Sequence, residues 1–162
     1  MLKAILTNEW FYSSIIGGIL FFLLVDWKVF SVNVWGGIAS LILELYQDGV
    51  AAAIGMYHFR KTILTLFDVP VFFAVGVAFT MGVLFLQYLP ENTDLQFLHL
   101  LVFVIGFLIF EYIVTTYEML VSPYWGLTAS FFDNLLIFGS LLWLKQFVLY
   151  VRCGKKIIYP KK

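Results

Sequence analysis

The run from Val69 to Leu89 is 21 residues long and holds no ionisable side chain except Tyr88. Coiled as an α-helix, about 20 residues at 1.5 Å rise cover the roughly 30 Å hydrocarbon core of a bilayer. Pro70 falls in the first turn, where its missing N–H costs nothing, and Pro90 stops the helix. Four further apolar runs flank this one: Trp10–Val25, Val29–Tyr46, Leu95–Tyr117 and Leu127–Val151. The expected fold is therefore all-α, a multi-pass transmembrane bundle of about five spans (10–25, 29–46, 69–89, 95–117, 127–151). Residues 1–162 form a single transmembrane domain that ends in a basic tail at 152–162.

Composition narrows what else the chain can be. Hydrophobic residues make up 62% and charged ones 12%, against about a quarter charged in a soluble domain. Five spans consume about 100 residues, so no soluble catalytic domain fits beside them. Ten basic and ten acidic residues cancel, which removes nucleic acid as a partner. The expected partners are the lipid bilayer and either a membrane-protein partner or a second copy of the chain. The N-terminal ten residues lack the basic start and small-residue cleavage site of a removable signal peptide, so the first run is expected to stay in the mature protein. The lone Cys153 excludes an internal disulfide and is a weak acylation candidate beside the membrane.

One segment resists the five-span scheme. Residues 49–67 are moderately apolar yet carry His58, Arg60 and Lys61, and a Lys or Arg at mid-membrane costs about 2.5–3.5 kcal/mol. The segment is read as interfacial or re-entrant, with Val50–Ile54 dipping into apolar surroundings and the basic trio in water. Orientation follows from the cations at the helix ends. Arg152, Lys155, Lys156, Lys161 and Lys162 put the C-terminus in the cytoplasm under the positive-inside rule. Lys28 then lies on the same side, six cations in all, against three outside (Lys3, Arg60, Lys61). The same five tail cations are candidates for contact with anionic lipid headgroups. Trp10, Trp27, Tyr46, Tyr88, Tyr117, Tyr124, Trp125 and Tyr150 fall at helix ends, where amphipathic rings anchor among headgroups.

Small residues four apart mark the faces expected to pack: Ser13 and Gly17, Ser14 and Gly18, Gly36 and Ser40, and Ala74, Ala78 and Gly82. In lipid there is no hydrophobic drive between helices, so close backbone approach and van der Waals contact do the work.

Ionisable groups inside spans are rare and expensive, and each is a functional candidate. Glu111 lies about 10 Å below the outer end of the fourth helix and Asp133 about 10 Å into the fifth, at 1.5 Å per residue. Glu111, Thr115 and Glu118 fall at i, i+4 and i+7 on one stripe. Gly126, Ser130, Asp133, Ile137 and Ser140 form another, with Asn134 beside it. The two stripes are expected to meet in a polar seam opening to the outer surface, joined by Glu44. Such carboxylates cannot all stay charged without partners, and Arg60, Lys61 and His58 are the counter-ions expected on that side. Lys145 is expected to snorkel to the cytoplasmic interface and His99 to be interfacial.

Three uses of the seam compete. The leading one is a non-enzymatic membrane component in which the fourth and fifth helices hold a structural or partner-binding polar network. The alternative is a small transporter or channel component binding a cation or small polar solute at Glu111, Asp133, Asn134, Glu118, Thr115 and Glu44. An enzyme is disfavoured: the chain has no His-Glu-x-x-His, no Gly-x-Ser-x-Gly, no metal-spaced Cys/His set and no glycine-rich phosphate loop. Neither a catalytic residue, a metal nor a cofactor is expected.

Asp26-Trp27-Lys28, Pro90, Glu111-Tyr112 and Tyr124-Trp125-Gly126 followed by Asn134 give the chain a further feature. In these dispersed residues it resembles a family of small, uncharacterised five-span membrane proteins of spore-forming Gram-positive bacteria. The resemblance implies a bacterial plasma membrane and a shared interior site for Glu111 and Asn134. It covers most of the chain but finds no counterpart for residues 49–61.

Overall fold

Among the described residues five helices follow one another, and each carries the chain to the opposite end of the bundle. The computed structural model describes residues 8–149. The basic tail Arg152, Lys155, Lys156, Lys161 and Lys162, with Cys153, lies outside the described residues. Helix α1 (Glu9–Leu24) starts at Asn8, whose side chain accepts the Phe11 N–H in an ordinary N-cap. Helix α2 covers Phe30–Ala53. Helix α3 covers Val71–Gln87 and includes a π-helical stretch at Ala74–Ala78. Helix α4 (Thr93–Thr116) is capped by Asn92, which accepts the Asp94 N–H at 2.8 Å. Helix α5 (Leu127–Trp143) continues as a π-helix over Leu144–Leu149.

Among the described residues, two helices are by length and composition able to cross a membrane, Thr93–Thr116 and Leu127–Val148. Glu9–Leu24 and Val71–Gln87 are apolar but shorter. Helix α2 is 24 residues long but carries Glu44, Gln47 and Asp48.

The expected second span ends too early. Helix α2 runs seven residues past Tyr46, to Ala53, so Val50–Ala53 are helix rather than a separate dip into the membrane. Ala51–Ala53 are strong helix formers, and Asp48 enters the helix because it turns inward, where the Tyr57 hydroxyl meets it. Of the stretch 49–70, residues 54–70 are non-helical. They take part in two short antiparallel ladders: β1 (His58–Phe59) pairs with β4 (Leu120–Val121), which follows α4, and β2 (Thr65–Leu66) with β3 (Val69–Pro70). Phe67 and Asp68 join β2 to β3, both at positive φ (52° and 64°), the two-residue turn that matches strand twist.

The ladders and side-chain bonds identify the two ends. At one end, Trp10 Nε1 donates to the Arg60 carbonyl at 2.9 Å, the Arg60 N–H to Met119 at 2.8 Å, and the Asn8 amide to the Lys61 carbonyl. At the other, Gln87 Nε2 and the Tyr88 hydroxyl both donate to the Leu24 carbonyl at 2.8 Å, and Gln87 Oε1 accepts the Asp26 N–H. Lys145 does not simply snorkel: its Nζ donates to the Leu86 carbonyl at 2.6 Å, while His99 Nε2 pairs with Phe85 O at 3.0 Å. The last-turn carbonyls of α3 are thereby satisfied by cationic and ring donors.

The small-residue faces meet as expected, with one exception. Gly76 on α3 lies so close to Ser14 and Gly17 of α1 that a Cβ on either glycine would overlap the other helix. A Cβ on Gly36 would come 2.5 Å from Gly82 O. Backbones in such contact gain dispersion that no larger residue permits. Gly18 faces open space instead.

The core is apolar, built around Phe85, Leu86, Phe138 and Leu141, yet it also holds polar groups, and the outer surface is apolar as well. Ser40, Glu44, Asp48, Thr80, Ser130 and Asn134 are buried, while Phe22, Leu23, Phe97, Ile109 and Leu136 are more than half exposed. A soluble monomer seldom shows apolar patches above a few hundred Å².

Candidate functional site

Four carboxylic acids surround one cavity of about 40 Å³ in the half of the bundle that carries the 54–70 loop. Helix α2 contributes Glu44 and Asp48, one turn apart on the same face. Helix α4 contributes Glu111 beside Phe107, Phe110 and Val114, and α5 contributes Ser130, Asp133 and Asn134. Trp10, Tyr57, Phe59, Phe73, Leu120 and Trp125 complete the wall. The volume suffices for a water or an ion of that size.

Hydrogen bonds fix most of this lining. The Tyr57 hydroxyl donates to Asp48 Oδ1. Burial, with Asp48 beside it, pushes the Tyr57 phenol up, so the ring remains a donor. Trp125 Nε1 donates to Ser130 Oγ at 2.9 Å, and the Ser130 hydroxyl in turn donates to Glu111 Oε1. This three-member chain ties the start of α5 to α4. Edge-to-face contacts hold the aromatic rings, with centroids 5.5 Å apart for Tyr57–Trp125 and 5.6 Å for Trp10–Phe59. Phe73 stacks on Phe110 at 5.9 Å.

Glu44 is the exception. It is 3% exposed, yet its Oε1 has no hydrogen-bond partner among the described residues. No Lys, Arg or His is among the described residues lining the cavity. An unpaired buried acceptor forfeits its hydration without return.

The structure thus gathers Glu44, Glu111, Asp133 and Asn134 at one cavity and leaves Thr115 and Glu118 outside it. Helix α4 ends at Thr116, and Glu118 lies beyond it at φ 55°. The cavity-facing stripe is Phe107, Phe110, Glu111 and Val114, so Thr115, next around the helix, is exposed. The expected counter-ions do not reach the cluster either. Arg60 Nη1 lies 3.7 Å from Glu118 Oε2, and Lys61 Nζ 2.9 Å from Glu9 Oε1. His58 is exposed. Backbone bonds from Arg60 and Lys61 hook the loop onto Trp10, Asn8 and Met119, which turns the charged heads outward. On that surface, the hydrogen bond from Lys61 holds the Glu9 carboxyl below its usual range.

Asp48 and Tyr57 were not among the expected site residues. The i, i+4 spacing of Glu44 and Asp48 was the available signal, hidden by ending the helix at Tyr46. No three His, Cys, Asp or Glu side chains among the described residues stand close enough to share a metal ion. Among known proteins, no family model, curated protein or solved structure matches the chain.

Proposed function

We propose that the chain is a multi-pass integral membrane protein whose five helices all cross the bilayer, and that its acidic cavity binds a small cation. The outward apolar surface and inward polar residues support the first part. The short helices α1 and α3 reach across by local bilayer thinning and by anchoring residues at their ends. Helix α2 tolerates its acids because they face the cavity, the usual orientation of intramembrane charge. The positive-inside rule puts the C-terminus in the cytoplasm and the cavity in the outer half. The resemblance seen in the sequence supports a bacterial plasma membrane. The chain acts as a transporter or channel component rather than as an enzyme, alone or with a membrane partner.

One observation carries the cation reading: among the described residues, Glu44 Oε1 is buried without a hydrogen-bond partner in a cavity lined by three more carboxyl groups and no basic side chain. A second reading, a polar network that only fixes the helix register, is favoured by the Trp125–Ser130–Glu111 chain linking α4 and α5. Titration separates the two. Trp10 and Trp125 line the cavity and report its occupancy by fluorescence. In detergent-purified protein, monovalent chloride salts at constant ionic strength are expected to give a saturable change that Glu44→Gln removes while the melting temperature is kept. Wild-type fluorescence and melting that are indifferent to every cation would overturn the cation reading in favour of the network.

A further inference from the structure

We propose that the groove between α1 and α4 holds one acyl chain of a phospholipid whose phosphate rests on Lys61. The proposal rests on the membrane reading above and not on the cation reading. The groove has α1 on one side (Ile16, Leu20), α4 on the other (Gly106, Ile113), and Val77 and Met81 of α3 between them. Small residues shape it: α1 sinks onto α3 where Gly17 meets Gly76, while the Cβ position of Gly106 has open space around it.

Its length suits a lipid tail and not a helix. The lining runs along α1 from Glu9 to Leu20 and along α4 from Gly106 to Tyr117, about 16 Å on each side at 1.5 Å per residue. That is the depth of one leaflet, half of the roughly 30 Å hydrocarbon core. A partner helix crossing the bilayer would have to pass the loop end of the groove, and that end is bridged. Lys61 Nζ donates to Glu9 Oε1 at 2.9 Å and to the Tyr117 carbonyl at 3.3 Å, joining the two walls. A lipid tail stops there, at its headgroup. The bridge also supplies the charge that a phosphate needs. Two of the three ammonium donors are used, and the Lys61 side chain is 46% exposed, so the third is open to a ligand. Lys61 sits at φ 57°, a conformation that a lysine adopts only at a cost. The Asn8 amide holds its carbonyl, and together these keep the ammonium at the mouth of the groove.

The test is native mass spectrometry of the full-length protein released from detergent micelles, delipidated and then titrated with three lipids bearing the same two acyl chains: phosphatidylglycerol, phosphatidylethanolamine and diacylglycerol. Wild type is expected to retain one lipid per chain, both phospholipids saturating at about one-fifth of the concentration that diacylglycerol needs, the factor for one lysine near a membrane surface. Lys61→Gln is expected to erase that difference. Gly106→Leu grows a side chain into the groove and is expected to lose all three lipids, with a melting temperature at or above that of wild type because leucine is the better helix former. Diacylglycerol bound by wild type as tightly as the phospholipids would overturn the phosphate contact, and lipid retained by Gly106→Leu would overturn the groove. A protein that needs detergent yet holds no lipid would overturn the site alone. A protein that alkaline carbonate releases from membranes, soluble without detergent, would overturn the membrane reading beneath it.

Discussion

Replacing Gly82 by Ala tests the packing that positions the whole site. Gly82 sits where α3 crosses α2, and a Cβ there would lie 2.6 Å from Ser40 Cβ and 2.9 Å from the Gly36 carbonyl carbon. Ordinary contact begins at 3.4 Å, so the shortfall at Ser40 alone is 0.8 Å, from 2.6 to 3.4 Å. The Gly36 side of the contact is backbone and cannot rotate away, which forces the helices apart. Overpacking of this kind costs about 1–3 kcal/mol, set against a gain of up to about 1 kcal/mol in helix propensity. Gly82→Ala is thus expected to lose about 1–2 kcal/mol. Gly139→Ala is the internal control, because nothing lies within 4 Å of its Cβ position, and it is expected to gain about 0.5–1 kcal/mol. Unfolding followed by circular dichroism in one detergent gives both numbers, and the informative quantity is the difference of about 2 kcal/mol between them. The double variant Gly36→Ala/Gly82→Ala should lose less than the sum of its parts, since one opened gap serves both methyl groups. Equal stability of Gly82→Ala and Gly139→Ala would refute the close crossing and, with it, the placement of Glu44 one turn beyond Ser40.

Other parts of the structure give shorter tests. Asp68→Gly relieves a residue held at φ 64° and should stabilise the 54–70 loop by about 1 kcal/mol, read as a higher melting temperature; an unchanged one would argue against the two-residue turn. Trp125→Phe keeps the ring against Tyr57 but removes the donor to Ser130, and a loss of about 0.5–1.5 kcal/mol is expected. A loss below this range would show that the α4–α5 chain carries little. The Glu9–Lys61 pair should contribute at most about 1 kcal/mol, because both side chains are nearly half exposed. The folded-state value of Glu9 is depressed, so its contribution is present above the unfolded carboxyl value and disappears as pH falls through the folded one. Glu9→Gln should therefore melt slightly below wild type at neutral pH and together with it in strong acid; a gap that persisted in acid would contradict the ion pair.

Much of this was legible in the residues taken one stretch at a time. The five helices could be read because apolar runs and their bounding prolines act locally, within a few turns. The packing faces could be read for a similar reason, since a glycine or serine four residues from another lies on the same side of any helix. The grouping of Glu111 with Asp133 and Asn134 followed from depth and angle on two consecutive helices joined by a short turn. Each inference broke where a distant segment decided the outcome. Ending α2 at Tyr46 hid Asp48, because only the hydroxyl of Tyr57, nine residues on, makes an acid there tolerable. Glu118 looked continuous with Glu111 until the helix stopped at Thr116, and Thr115 falls beside the stripe of Phe107, Glu111 and Val114 that faces the cavity.

Local sequence, then, determined that this chain makes apolar helices with small-residue faces and a few misplaced acids, since length, hydropathy and periodicity are properties of single segments. The tertiary structure alone decided where the loop cations go. Arg60 and Lys61 carry the right charge and lie on the right side to neutralise the buried acids. Bonds donated to their backbone carbonyls by Trp10 and Asn8, and one from the Arg60 N–H to the Met119 carbonyl, nevertheless fix them facing outward. Once those cations are committed to Glu118 and Glu9, Glu44 Oε1 has no hydrogen-bond partner among the described residues. The acidic cavity remains uncompensated for this reason, because charge pairing depends on which contacts the folded backbone permits and not on which residues the sequence supplies.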